Sequence, residues 1–160
     1  MLEECQLFDM LAQVKEGLGM EGRKTSKGTL VTGVIGDDVH VTGIRILEHA
    51  LREAGFKVVS LGIQVLQQEF IDAALETKAD AILVSSLSGH AKILVSGLKD
   101  KCLEAGLEDV YLYLGGQLVI GEIGWDEEEK MFKDMGFDRV YPPNAVPEQV
   151  IADLKTDLKL

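Results

Sequence analysis

Residues 29–43 read Thr29-Leu30-Val31-Thr32-Gly33-Val34-Ile35-Gly36-Asp37-Asp38-Val39-His40-Val41-Thr42-Gly43. Leu30 to Ile35 is a short apolar run closed by Gly36, the pattern of a strand buried on both faces. A polar loop follows. Ile44, Leu47, Leu51 and Ala54 then trace one face of a helix that Gly55 ends. The same unit recurs down the chain. Phe56 to Leu61 reads as a second strand, and Leu66, Phe70, Ala73 and Ala74 mark the next helix. Ala81-Ile82-Leu83-Val84 is a third strand, followed by a helix face of Leu94, Leu98, Cys102 and Ala105 closed by Gly106. Val110 to Leu114 is a fourth and ends at Gly115-Gly116. Asp126 and Glu129 have capping-box spacing, which opens a helix over Glu127 to Met135. Arg139-Val140 is a brief fifth strand, and Pro147, Val150, Leu154 and Leu158 give the last helix.

Strands alternating with helices require a parallel sheet covered on both faces. Five such units with right-handed crossovers suit an α/β, flavodoxin-like (Rossmann-like), doubly wound sheet in the order 2-1-3-4-5. That order switches direction between the first and third strands, and ligands bind there, outside the carboxyl ends of the strands. Three loops are therefore singled out: Gly36 to Gly43, Ser85 to His90, and Gly115 onward.

The residues before this body have a different character. Leu7, Leu11, Val14 and Leu18 share one helical face, and Gly22-Arg23-Lys24-Thr25-Ser26-Lys27-Gly28 breaks it with a basic linker. The expected organisation is an N-terminal amphipathic helix and linker over residues 1–28, with no catalytic role, and one domain over 29–160. With 160 residues, an apolar fraction of 46% and Pro 3, the chain is long enough to bury a core and is not disordered. Its net charge of -11 disfavours nucleic acid and anionic membranes as partners. No apolar run approaches the ~20 residues of a membrane span. The acidic N-terminus lacks the basic region of a secretory signal. Cys5 and Cys102 stand far apart in the sequence, without CxxC or zinc spacing, so the expectation is a reduced, cytoplasmic protein.

Each loop admits a chemical and a structural reading. Asp38 lies two residues before His40, so its carboxylate can accept a bond from one ring nitrogen, fix the tautomer and leave the other nitrogen as a metal ligand. Alternatively, His40 is a surface histidine and the Asp37-Asp38 pair caps the helix. Gly43 gives room for close approach of backbone or a bulky ligand. The hydroxyls of Ser85-Ser86-Leu87-Ser88 either bond a ligand against the sheet or cap the following helix. His90 is a second ligand or base, or an exposed residue at a helix start. Gly115-Gly116 removes side chains where something bulky approaches, or simply serves a turn. Trp125 and Cys102 read as core or rim packing. A phosphoryl-receiver domain needs an acceptor Asp at the end of the third strand, where Ser85-Ser86 stand, so that reading fails. A flavodoxin phosphate loop is opposed by the negative charge of Asp37-Asp38.

Asp38-Val39-His40-Val41-Thr42-Gly43 matches the D-x-H-x-x-G signature of cobalamin-binding domains, Ser85-Ser86-Leu87 their S-x-L element, and Gly115-Gly116 their glycine pair. Gly33-Val34-Ile35-Gly36, Glu76-Thr77-Lys78-Ala79-Asp80, Val84-Ser85-Ser86-Leu87 and Met135 to Pro143 extend the likeness. From about Thr29 to the C-terminus the chain resembles the small (sigma) subunits of glutamate mutase, also called methylaspartate mutase. Ser88-Gly89-His90 departs from that family's aromatic-containing loop, and the resemblance assigns His90 no role.

The resemblance implies adenosylcobalamin as cofactor, with His40 as the lower axial ligand of cobalt in place of the vitamin's own base. It implies that Asp38 bonds the distal nitrogen of His40 and that the freed nucleotide tail enters a slot between the first and third strands. Ser85 then meets the base, Leu87, Gly115 and Gly116 shape the walls, and Tyr141 and Pro142 close the end. Val39, Val41, Thr42 and Gly43 belong to the implied cofactor loop. The implied reaction is rearrangement of L-glutamate to threo-3-methylaspartate. A larger, substrate-binding barrel subunit is implied as partner, because this chain has too few groups to hold a dicarboxylate alone and is inactive by itself. Two other readings share the domain: the cobalamin-binding component of another carbon-skeleton mutase, and a corrinoid methyl carrier. Such carriers place a longer helical bundle before the domain than the single helix expected here.

Overall fold

The structure is a computed structural model and describes residues 26–160. The helix expected over the first ~20 residues, and the linker as far as Thr25, lie outside the described residues. The elements run β1 Thr29–Val34, α1 Thr42–Glu53, β2 Lys57–Ser60, α2 Gln67–Thr77, β3 Ala81–Ser85, α3 Ala91–Leu94, α4 Leu98–Glu104, β4 Tyr111–Gly115, α5 Trp125–Asp134, β5 Arg139–Tyr141 and α6 Pro147–Asp157. The five strands form one sheet in the order β2-β1-β3-β4-β5, and every pairing is parallel. This is the order expected from the alternation.

The two-residue period of the strands divides the core into two layers. Val31, Ile82, Val84, Leu112, Leu114 and Val140 pack with Phe70, Leu98 and Phe132 of α2, α4 and α5. Leu30, Ala81, Leu83, Tyr113 and Tyr141 pack on the other face with Leu51 of α1 and Val150 and Leu154 of α6. Burial on both faces explains why the strands read as continuous apolar runs rather than alternating ones.

Two local expectations are corrected. The helix face Leu94, Leu98, Cys102, Ala105 is not one helix but two, α3 and α4, separated at Gly97, whose φ of 78° belongs to the left-handed region. The break frees carbonyls, and the Gln67 side-chain amide collects two of them, donating to Leu94 O at 2.6 Å and Ser96 O at 2.9 Å. The helix after β4 starts at Trp125, not Glu127, with Gly124 as its N-cap and no side-chain cap. Trp125 packs half-buried on the core, which draws the start forward. Asp126 therefore sits inside the first turn, where its charge suits the helix dipole, and Glu129 pairs with Lys133 at 2.6 Å.

Candidate functional site

At the carboxyl end of β1 the chain leaves the sheet through Gly36 and Asp37. Asp38 turns back inward and is almost fully buried, with 5% of its surface exposed. Its Oδ1 accepts the backbone N–H of His40 at 2.9 Å and faces the ring Nδ1 of His40 at 2.6 Å. Its Oδ2 accepts the backbone N–H of Leu87 at 2.6 Å, across 49 positions of sequence. Burial pushes the Asp38 carboxyl up, but the bonds from the His40 and Leu87 amides and the His40 ring outweigh it, and the group stays below its ordinary value. Asp38 is therefore a carboxylate that latches the β1 loop to the β3 loop.

The latch has a chemical consequence. A carboxylate at Nδ1 holds the ring proton there and leaves the Nε2 lone pair as the available donor to a metal. The His40 side chain is 67% exposed and borders an open cleft with Asp37, Val39, Ser88, His90 and Leu94. The alternative in which the aspartates cap the helix does not hold for Asp38: α1 starts at Thr42 with Val41 as its N-cap and no side-chain cap. Ser88 does serve a local turn, its Oγ accepting the His90 N–H at 3.3 Å. His90 is the exposed N-cap residue of α3.

Behind the latch, the β3 and β4 loops are zipped together. Ser86 N–H donates to Gly115 O at 3.1 Å, and Gly89 N–H to Gln117 O at 3.1 Å. Gly116 has φ +118°, and a Cβ there would lie 2.2 Å from the carbonyl oxygen of Ser86. Its glycine is thus required by the close approach of protein backbone, as well as by its place on a cavity wall. Ser86 is fully buried and its Oγ has no partner.

That cavity, of about 300 Å³, opens beside the latch. It is lined by Gly43, Ile44 and Leu47 of α1, Leu83 and Ser85 of β3 with Leu87 in the loop beyond, Tyr113 and Gly115 of β4 with Gly116 just after it, and Tyr141, Pro142, Val146, Pro147 and Val150 from β5 into α6. No β1 residue lines it, so the cavity lies over β3, β4 and β5 rather than between the first and third strands. The reason is local: Thr32 of β1 donates to the buried Glu48 of α1 at 2.6 Å, and α1 covers β1 there. Of the residues singled out from sequence, Gly43, Ser85, Leu87, Gly115, Gly116, Tyr141 and Pro142 meet at this cavity, and Asp38, Val39 and His40 at the cleft. Val41 and Thr42 line neither. Leu47, Tyr113 and Val150 also line the cavity, and their sequence spacing alone marks ordinary core; Val146, just before α6, lines it from an exposed position.

The loop that carries Asp38 and His40 thus lies at the switch point beside an apolar cavity, and residues 28–141 match the family described as B12 binding domain. The chain is 60% identical to the glutamate mutase sigma subunit of Carboxydothermus hydrogenoformans over 82% of its length and 96% of that protein. It is 56% identical to the sigma subunit of Clostridium tetani over 84% of its length and 98% of that protein. The chain belongs to the glutamate mutase sigma subunit family. Its architecture also matches a crystal structure of a cobalamin-binding protein from Desulfitobacterium hafniense, with a TM-score of 0.68 at 19% identity. That match covers 82% of this chain and 59% of that one, and it is a likeness of fold.

Proposed function

We propose that this chain is the cobalamin-binding small subunit of a glutamate mutase, with residues 29–160 as its cobalamin-binding domain. Together with a larger, substrate-binding barrel subunit it supports the adenosylcobalamin-dependent rearrangement of L-glutamate to threo-3-methylaspartate. The observation that carries the reading is the Asp38–His40–Leu87 latch beside the apolar cavity. Among the described residues no group of three or more His, Cys, Asp or Glu side chains is placed to hold a metal. A lone, oriented imidazole would suit a cobalt that is held mainly by its own macrocycle. The cavity suits a bulky, largely apolar appendage.

In this reading His40 would hold the cobalt through Nε2, and Asp38 would hold the proton on Nδ1 and tune the basicity of the ring. The nucleotide tail occupies the cavity. Ser85 faces its base, Leu87, Gly115 and Gly116 form the inner wall, and Tyr141 and Pro142 close the end. Val39, Val41, Thr42 and Gly43 carry the chain around the cofactor's edge. When bound, adenosylcobalamin supplies homolysis of its cobalt–carbon bond, and the protein supplies binding, orientation and exclusion of water. In this reading the larger subunit holds the substrate dicarboxylate, so turnover requires it. Among the described residues no helix is long and apolar enough to cross a membrane.

Paramagnetic resonance on the reduced, cobalamin-loaded chain tests the central assignment. With ¹⁵N-labelled histidine the superhyperfine splitting changes from that of ¹⁴N, and with His40→Ala it no longer responds to the label. A splitting that ignores the label in the unaltered chain overturns the axial role. Turnover of L-glutamate by the chain alone overturns the subunit assignment.

A further inference from the structure

A polar network lies behind the cavity, away from the latch. Tyr113 of β4 and Tyr141 of β5 both line the cavity, and their ring centroids are 5.9 Å apart. Both residues are buried, so their hydroxyls need partners. They find them on α6: Tyr113 Oη donates to Asp157, and Tyr141 Oη donates to Asp153 at 2.6 Å. Arg139 of β5 compensates both charges, donating to Asp157 through Nε at 3.2 Å and Nη2 at 2.8 Å and lying 3.6 Å from Asp153. Asp153 and Asp157 are four residues apart, one helical turn, so one face of α6 carries both carboxylates.

The same helix has a second task at its other end. Its first turn, with Pro147 and Val150 and the preceding Val146, is the outer wall of the cavity. An apolar space of this size tends to close, since atoms facing a void lose their contacts. Apolar packing is non-directional and sets no spacing between two walls. Charge-assisted hydrogen bonds are directional and do. The network thus acts as a strut that holds the tyrosine floor and the α6 wall at one separation.

We infer that Arg139, Asp153 and Asp157 are positioning residues for the cofactor's nucleotide tail: by pinning the hydroxyls of Tyr113 and Tyr141 to α6 they keep open the cavity that admits it. The inference rests on the reading above that the tail enters this cavity. It is tested with the full chain by visible-absorbance titration against two probes, cobalamin and cobinamide, which keeps the corrin and lacks the nucleotide tail. The unaltered chain binds cobalamin more tightly than cobinamide; equal affinities overturn the tail reading itself, and the inference with it. The double variant Tyr113→Phe, Tyr141→Phe keeps both rings and removes both bonds. Its affinity for cobalamin falls roughly tenfold, while its affinity for cobinamide is unchanged. Asp157→Asn keeps the volume, weakens the pairing with Arg139 and gives a smaller loss of the same kind. Loss of both probes in equal measure, or of neither, in variants that retain cooperative unfolding overturns the positioning role.

Discussion

The latch and the cavity sit side by side at the strand tips and are built in opposite ways. The latch needs three residues, Asp38, His40 and Leu87, and works through directional bonds of 2.6–2.9 Å to one buried carboxylate. The cavity draws on α1, β3, β4, β5 and α6 and works mainly through shape, with a hydrogen-bonded network behind its tyrosine side. A single donor atom can be aimed by one neighbour, whereas an enclosed volume needs every surrounding element in place. The two regions meet at the β3 loop, where Leu87 both clamps Asp38 and lines the cavity.

Gly116→Ala gives the largest effect expected, because it strikes that junction. Its Cβ is 2.2 Å from Ser86 O at a φ of +118°, so the β3 loop has to move. A loss of at least about 3 kcal/mol of stability is expected from clash and left-handed strain together, read by chemical denaturation, with binding of cobalamin and cobinamide both impaired. A variant with unaltered stability shows that the two loops are not rigidly joined.

Asp38→Asn separates the two regions. The amide presents an NH₂ where one of the carboxylate oxygens accepted a donor, so either Leu87 or His40 loses its partner. Affinity for cobalamin is expected to fall about 10–100-fold, the scale of losing a group that orients a metal ligand. Cobinamide falls by the same factor if the latch acts on the metal alone. A loss confined to cobalamin shows instead that the latch also shapes the cavity.

Asp157→Asn has the smallest effect and carries a pH signature. The Arg139 bond holds the Asp157 carboxyl below its ordinary 3.8, against burial and with help from Tyr113. A depressed carboxyl contributes stability that is complete above its unfolded value and is lost as pH falls through the folded one. The variant is therefore expected to be about 1–2 kcal/mol less stable at pH 7, at the low end because the Arg139 side chain is 35% exposed to solvent. The difference shrinks below pH 3.8. Denaturation curves at pH 7 and pH 3 check it; a constant gap means that the carboxylate charge is not what holds α6.

Sequence reading reached the latch because its ingredients are close along the chain. Asp38 and His40 are two residues apart, and the sheet order placed that loop at the switch point. It did not reach the Leu87 amide, since a backbone donor has no signature of residue type. The break between α3 and α4 was hidden for a related reason: Leu94, Leu98 and Cys102 keep helical spacing across it, and only the Gln67 side chain, reaching over from α2, shows where the released carbonyls go. Tyr113 lies inside the apolar run of the fourth strand and is core by burial, yet it also lines the cavity and its hydroxyl reaches α6.

Hydrophobic periodicity and glycine placement, which are local properties, were enough to determine five βα units, their parallel order and the loop that presents His40. The position of the cavity over β3, β4 and β5 was decided only in three dimensions, by the Thr32–Glu48 bond that lays α1 on β1 and by the carboxylates of α6 that grip β4 and β5. Such pairings join residues of different elements, and which partners meet is set by how the helices settle on the sheet, a quantity that no run of neighbouring residues encodes.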